Sequence, residues 1–378
     1  MSSLRRALPA PQRAMGARAG VACFLRTALH PFQFHRSAAM PFTIRRRRLI
    51  TSVALAPLVG VPAVRAQSAT KVAMLLPGSI NDQSWNASGY AAMAKLKGSG
   101  AEIAFSENVQ AADHIETMKD YARRGFSPVI GHSGRFLSAA QRVGPEFEKT
   151  IFIVGAGSAG MGKNVTSLNY DDAHVGYLMG VLAGRMTKTG KIGSVNGLEG
   201  LLNVVNQVGA FRQGVKSVRP NAEVRVIYIK DMEDAAMSKE AALTLISGGA
   251  DFVFGKLNAG QGGIIQAAKE KNVYATGRSF SHVQAAPQNV LSAIIENWEG
   301  MYLSAIAEAR AGTLAPALIP YGYDAKGGAG ADLMYGKDAA FAPVVPKEVV
   351  AEIDAIKKRL ASGQLKLAVS KEDARGGL

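Results

Sequence analysis

Between Lys71 and Tyr90 the chain reads KVAMLLPGSINDQSWNASGY, setting one indole among polar side chains at positions 81–86. Asn81, Asp82, Ser84 and Asn86 supply hydrogen-bonding groups, and Trp85 supplies a flat apolar face. The preceding Val72–Leu76 is an apolar strand, and a small-residue helix follows from Trp85. The loop leaving the carboxyl end of a strand in an open parallel sheet is where ligands sit. This set suits a small polar ring compound better than a metal or a phosphate. Asp82 or Ser84 has a competing duty as a cap for the first-turn amides of the helix, which accounts for one of these residues and leaves the Trp unexplained.

Other chemistry-bearing stretches also follow strands. His132 and Ser133, in Gly131-His-Ser-Gly-Arg135, are placed to touch a bound molecule. The nucleophile-elbow spacing is broken there by Arg135, and no orienting acid accompanies the pair. His114, His132, His174 and His282 lack metal-ligand spacing, so no metal is expected. Gly155–Gly160 fits G-x-G-x-x-G, but another strand-like run, Val165–Leu168, follows with no room for the helix that a pyrophosphate site needs. Asn258-Ala-Gly-Gln-Gly-Gly263 opens a helix whose free amides favour an acceptor group, yet it lacks the Gly-Lys-Ser/Thr of a phosphate loop. Asp231-Met-Glu-Asp234 holds carboxylates that nothing forces together, with Asp234 a cap. Neither a cofactor nor enzymatic activity is expected.

These loops need a scaffold. Short β-rich runs alternate with helical patterns from Val72 to Ala311. Strands are expected at 72–76, 102–105, 128–131, 151–154, 165–168, 192–195, 224–229, 252–254, 273–276 and 290–295. Helices are expected near 85–97, 112–124, 136–143, 174–186, 204–218, 235–247, 262–271 and 298–311, and a last one at 343–360 behind a Gly-rich stretch. Such alternation is the pattern of parallel sheets covered by helices. No internal repeat or coiled coil is present.

The first 66 of the 378 residues contain 11 Arg and no Asp, Glu or Lys. Met40 begins a second reading: basic Arg45–Arg48, the uncharged run Leu49–Val64, then Val64-Arg65-Ala66, the layout of a secretory signal. The 16-residue run, interrupted by Pro57, Gly60 and Pro62, falls short of the ~20 residues that span a bilayer. Residues 1–39 are read as a mis-assigned start and 40–66 as a signal peptide; RRRRLIT leaves both the general and the twin-arginine export routes open. Residues 67–378 carry 33 basic and 29 acidic side chains, so the basicity belongs to the leader and support for a nucleic-acid partner disappears. The one cysteine, Cys23, lies in the leader, which removes disulfides, thiolate chemistry and lipid attachment at a mature N-terminal cysteine. The expected compartment is the periplasm.

Residues 70–320 resemble the basic membrane protein (BMP) family of ABC-importer solute-binding proteins. The likeness lies in Gly78-Ser-Ile-Asn-Asp82-Gln-Ser-Trp85-Asn86, Tyr170-Asp-Asp-x-x-x-Gly-Tyr-Leu-x-Gly180 with Gly184, and Gly249-Ala-Asp251. Ala259-Gly-Gln-Gly-Gly263 with Ala267–Glu270, and Asn297-Trp298-x-x-Met-Tyr302, complete it. The resemblance implies the type I periplasmic-binding fold: two Rossmann-like lobes with parallel sheets flanked by helices, three interlobe crossovers, and ligand in the cleft. It implies lobe 1 at 67–170 plus 297–320, lobe 2 at 171–296 plus 321–378, and a monomer that serves an ABC permease. On it, Asp82, Trp85 and Asn86 face the ligand with Trp85 stacking, and Asn81, His132, Ser133, Asp171, Met232, Asn258, Gly277, Ser279 and Trp298 complete the set. Nucleoside-binding members carry a G-x-D-x-D-Q run and a later Lys. Here Gly277-Arg-Ser-Phe-Ser-His282 puts Ser279 in place of the first Asp, and Glu296 stands near the Lys position. A Ser makes only neutral bonds where a carboxylate holds two vicinal hydroxyls. The expected ligand is therefore a flat heterocycle such as a purine nucleobase, with a nucleoside, or a sensing role for a membrane receptor, as alternatives.

Overall fold

The computed structural model describes residues 70–325 and 328–378; the leader assigned to 1–66 lies outside them. The chain opens with strand β1 (Lys71–Leu75), helix α1 (Trp85–Gly98), β2 (Glu102–Ser106), α2 (His114–Arg123), β3 (Val129–Gly131), α3 (Leu137–Val143), β4 (Phe152–Gly155) and β5 (Val165–Tyr170). It continues with α4 (Asp172–Met186), β6 (Lys191–Gly197), α5 (Leu202–Val218), β7 (Glu223–Ile229), α6 (Ala235–Ser247), β8 (Phe252–Lys256), α7 (Gln261–Lys271), β9 (Tyr274–Gly277), α8 (Phe280–Ala285) and β10 (Val290–Glu296). Last come α9 (Trp298–Ala311), β11 (Leu318–Tyr321), β12 (Ala331–Met334) and α10 (Lys347–Ala361).

Two six-stranded sheets result, ordered β11-β5-β4-β3-β1-β2 and β12-β10-β9-β8-β6-β7. Every pairing is parallel except β10 with β12. The chain passes between the sheets three times: after β5, between β10 and β11, and between β11 and β12. This is the expected α/β architecture. Phe252-Val-Phe at the start of β8, an inner strand, is a continuous apolar and buried run, as expected for a strand covered on both faces. The edge strand β7 alternates instead, exposing Glu223 and Arg225 and burying Val224 and Val226.

Strand order locates the binding region. In the first sheet the connection reverses between β1 and β3, and in the second between β6 and β8. At such switch points the loops leaving the strands' carboxyl ends diverge and leave a crevice. The structure departs from the sequence pattern at four elements. The last helix starts at Lys347 and not Pro343, because Pro346 precedes it at the cap position. Helix α8 and strands β11 and β12 had no counterpart in the sequence reading: α8 has six residues, β11 carries Pro320 on an edge, and β12 has only four residues.

Candidate functional site

The loop between β1 and α1 is organised by Asp82. Its Oδ1 accepts the amides of Ser84 (3.0 Å) and Ala87 (2.9 Å), and its Oδ2 accepts the amide (2.7 Å) and Nδ2 (2.9 Å) of Asn86. First-turn amides have no partner within a helix, and one carboxylate supplies them here. Asn86 is fully buried, and its Oδ1 accepts the amide of Gly78 (3.1 Å), pinning the turn after β1. Asn81 is exposed. Asp82 and Asn86 thus shape the loop and present Trp85.

Trp85 rests on a pillar. Its Nε1 donates to the carbonyl of His132 (3.0 Å), and its ring stacks on the His132 imidazole at 4.3 Å and 18°. Trp298, fully buried, meets Trp85 edge-on at 5.0 Å. His132 Nε2 lies 2.8 Å from the Trp85 carbonyl, which can only accept, so Nε2 carries the proton. Nδ1 therefore accepts from the Tyr302 hydroxyl at 2.7 Å. Burial drives this histidine down to about 4, so it is a neutral support behind the indole.

The facing wall comes from the second sheet. Lys256 closes β8, where its Nζ donates to the Tyr170 hydroxyl (2.9 Å), Asp172 and Gln207, and it is 1% exposed. Arg278, just after β9, donates to the Leu257 carbonyl (2.7 Å) and to Glu296. Glu296 also accepts from the Tyr170 hydroxyl (2.8 Å) and from Trp298 Nε1 (2.5 Å). Burial raises Asp172 to about 6, with Lys256 opposing; burial likewise lowers Lys256. Burial alone would raise Glu296, yet Arg278 and Lys256 hold it below its ordinary value. Buried charges persist only when paired in this way.

Carboxyl ends of both sheets meet at a narrow central cavity of about 30 Å³ whose lining includes Trp85, Ser133 and Arg135 on one side and Met232, Lys256, Asn258 and Arg278 on the other. A cavity of about 280 Å³ shares Trp85 and Arg278 and adds Gln83, Ser84, Ser279, Phe280 and Glu296. A groove of about 680 Å³ shares Arg135 and Met232 and is bounded by Arg142, Asp231 and Glu233. Left-handed backbone at non-glycine residues recurs here, at Gln83 (φ 55°) and Ala156 (φ 52°), and such strain clusters at functional sites.

Of the residues singled out from sequence, Trp85, Ser133, Met232, Asn258 and Ser279 line these cavities. Asn81, Asp82, Asn86, His132, Asp171, Gly277 and Trp298 do not line them. Asp171 caps α4 by accepting the His174 amide (3.0 Å), and Ser279 both caps α8 and bonds the Ser281 hydroxyl (2.8 Å). Gly277 ends β9 against Ala293, where a Cβ would meet that side chain at 2.9 Å. Asn258 Nδ2 donates to Glu233 (2.5 Å), leaving the amide oxygen and the second amide N–H as groups it can offer a ligand. Arg135, Lys256, Arg278 and Phe280 were missed. The available signal was Lys256 itself, a charge ending the apolar run Phe252-Val-Phe.

The PnrA-like ABC transporter substrate-binding protein family (Bmp) matches residues 69–327. The transcriptional activator protein Med of Bacillus subtilis is 25% identical over 246 residues, 65% of this chain and 76% of that protein. A purine-binding protein of Brucella abortus is 26% identical over 245 residues, 64% of this chain and 69% of that one. The chain spans about half the length, 55%, of related antigens from two Listeria species. Among solved structures, an ABC-transporter solute-binding protein from Conexibacter woesei superposes with a TM-score of 0.64 at 28% identity, covering 80% of this chain and 99% of that one. The motifs around Trp85, the paired parallel sheets and the family match over most of the chain converge: this protein belongs to the Bmp family and is a solute-binding component of an ABC transporter.

Proposed function

We propose that this protein binds a small flat heterocycle, such as a purine nucleobase, between its two sheets and hands it to an ABC permease from the periplasmic side. The observation that carries the reading is Trp85, an indole held rigid by His132 and Trp298 at the wall shared by the central and the 280 Å³ cavities. A flat aromatic face fixed in advance favours a flat ligand, because little ordering remains to be done on binding. The purine-binding relative from Brucella abortus points the same way. A nucleoside is the second candidate, since a relative from Lactococcus lactis is described as nucleoside-binding.

Ligand enters while the sheets are apart; polar groups of both then close on it, and closure selects the form the permease accepts. Isothermal titration against purine bases, pyrimidine bases and nucleosides tests the reading. Trp85→Ala should weaken the best ligand by ~1–3 kcal/mol, the range for base–aromatic stacking. Unchanged affinity would show that the ligand does not stack there.

A further inference from the structure

We propose that the ring bound in this cleft carries a negative charge, with its acidic group seated in the central cavity against Arg135 and Arg278. This rests on the reading of the cleft as a heterocycle site and narrows the ligand class. Every formally charged side chain lining the central cavity is a cation: Arg135, Lys256 and Arg278. Their counter-charges stand elsewhere. Asp172 bonds Lys256 from a fully buried position outside the lining, and Glu296 bonds Arg278 from the neighbouring cavity. Across the outer groove, the Glu233 carboxylate is taken by Asn258 and the Ala259 amide.

The three cations differ in what they can still offer. All three Lys256 ammonium protons have acceptors, so it contributes field and no new bond. Arg278 spends its guanidinium on Leu257 and Glu296 through NH1 and NH2, and a guanidinium has five N–H groups. Arg135 forms no ion pair among the described residues. A neutral ring oxygen would accept a bond from Arg135 but leave its charge uncompensated, whereas a carboxylate accepts two parallel N–H bonds and neutralises that charge.

Size sorts the ligand's two ends. The central cavity, about 30 Å³, is the narrower of the two and suits a small group such as a carboxylate. The adjoining 280 Å³ cavity, flanked by Trp85 and Phe280, holds the ring. Ser84 lines this cavity, and its hydroxyl is buried with no hydrogen-bond partner among the described residues, an unsatisfied polar group beside the ring.

The test is a set of matched titrations at pH 7.5: uracil against orotate, nicotinamide against nicotinate, hypoxanthine against urate. The acidic member of at least one pair should bind at least tenfold more tightly and lose affinity between 50 and 500 mM NaCl. Arg135→Gln should erase that preference, and Arg135→Lys should restore most of it. A preference below tenfold in every pair, while some purine, pyrimidine or pyridine ring binds, overturns the negative charge and leaves the heterocycle reading standing. If no ring in a wider purine, pyrimidine and pyridine series binds, both readings fall together.

Discussion

At the scale of single residues, the site rests on buried groups held in one protonation state. His132 and His282 titrate at about 4 in the fold, burial being the main cause, against an ordinary 6.5. Between those values the unfolded chain binds more protons, so stability present above pH 6.5 is lost as the pH falls toward 4. Each group contributes on the order of 3 kcal/mol at full effect. Asp172 works in the opposite sense: raised to about 6, it holds an extra proton in the folded chain below that pH, recovering part of the loss. Urea denaturation from pH 7.5 to 4.5 should show a falling midpoint, and His132→Gln should flatten the fall; parallel profiles would remove His132 from the account. Removing Lys256 alone strands Asp172, so Lys256→Met should cost roughly 3–5 kcal/mol, with Lys256→Met/Asp172→Leu recovering most of it. A double variant as unstable as the single one would contradict this. Trp85 was legible in sequence because neither a helix cap nor a turn has any use for an indole, so one set in a polar loop marks a face offered to something else. Lys256 and Arg278 were not, because what makes them tolerable is a pair of carboxylates 84 and 18 residues away.

Elements show where local pattern suffices. The longer helices were readable from periodicity, and their caps from side-chain chemistry: Asp234 accepts the Met237 amide at 2.9 Å. Asp82 was read both as cap and as ligand contact, and its four hydrogen bonds all serve the start of α1. Asp82→Ala should therefore lower stability by about 1–2 kcal/mol, the upper range for a lost cap, measured by thermal or urea unfolding in the absence of ligand. A variant of unchanged stability would return Asp82 to the ligand. Helices α4 and α5 pack closely enough that a Cβ on Gly180 would sit 2.1 Å from the Phe211 carbonyl, and one on Gly214 2.1 Å from that of Tyr177. Backbone cannot give way as a side chain can, so Gly180→Ala should cost about 1–3 kcal/mol with ligand selectivity retained. Sequence showed Gly180 as a motif position; the reason it must be glycine emerges only when the two helices meet.

Over the whole molecule, the shared wall between sheets is tied to the passages of chain that join them. Tyr170 and Asp172 flank the first passage and Glu296 and Trp298 the second, and all belong to the hydrogen-bonded set around Lys256 and Arg278. The alternation of strands and helices made two parallel sheets legible, but long-range strand exchange leaves no local trace, which is why β11 and β12 escaped notice. The outer edge of β7 is covered by the chain's last residues: Val226 pairs with Gly377, and Arg212 donates to the carbonyls of Asp373, Arg375 and Gly377. Arg212→Ala should free this segment and speed its cleavage by an endoprotease, and an uncovered strand edge invites association between molecules; light scattering on warming reads the latter. The strand order also sets a timetable. β11 completes the first sheet and β12 the second, yet both follow the ten other strands among the described residues. Neither half can therefore close its sheet before residues 318–334 are in place, so the two halves are completed together and not one after the other.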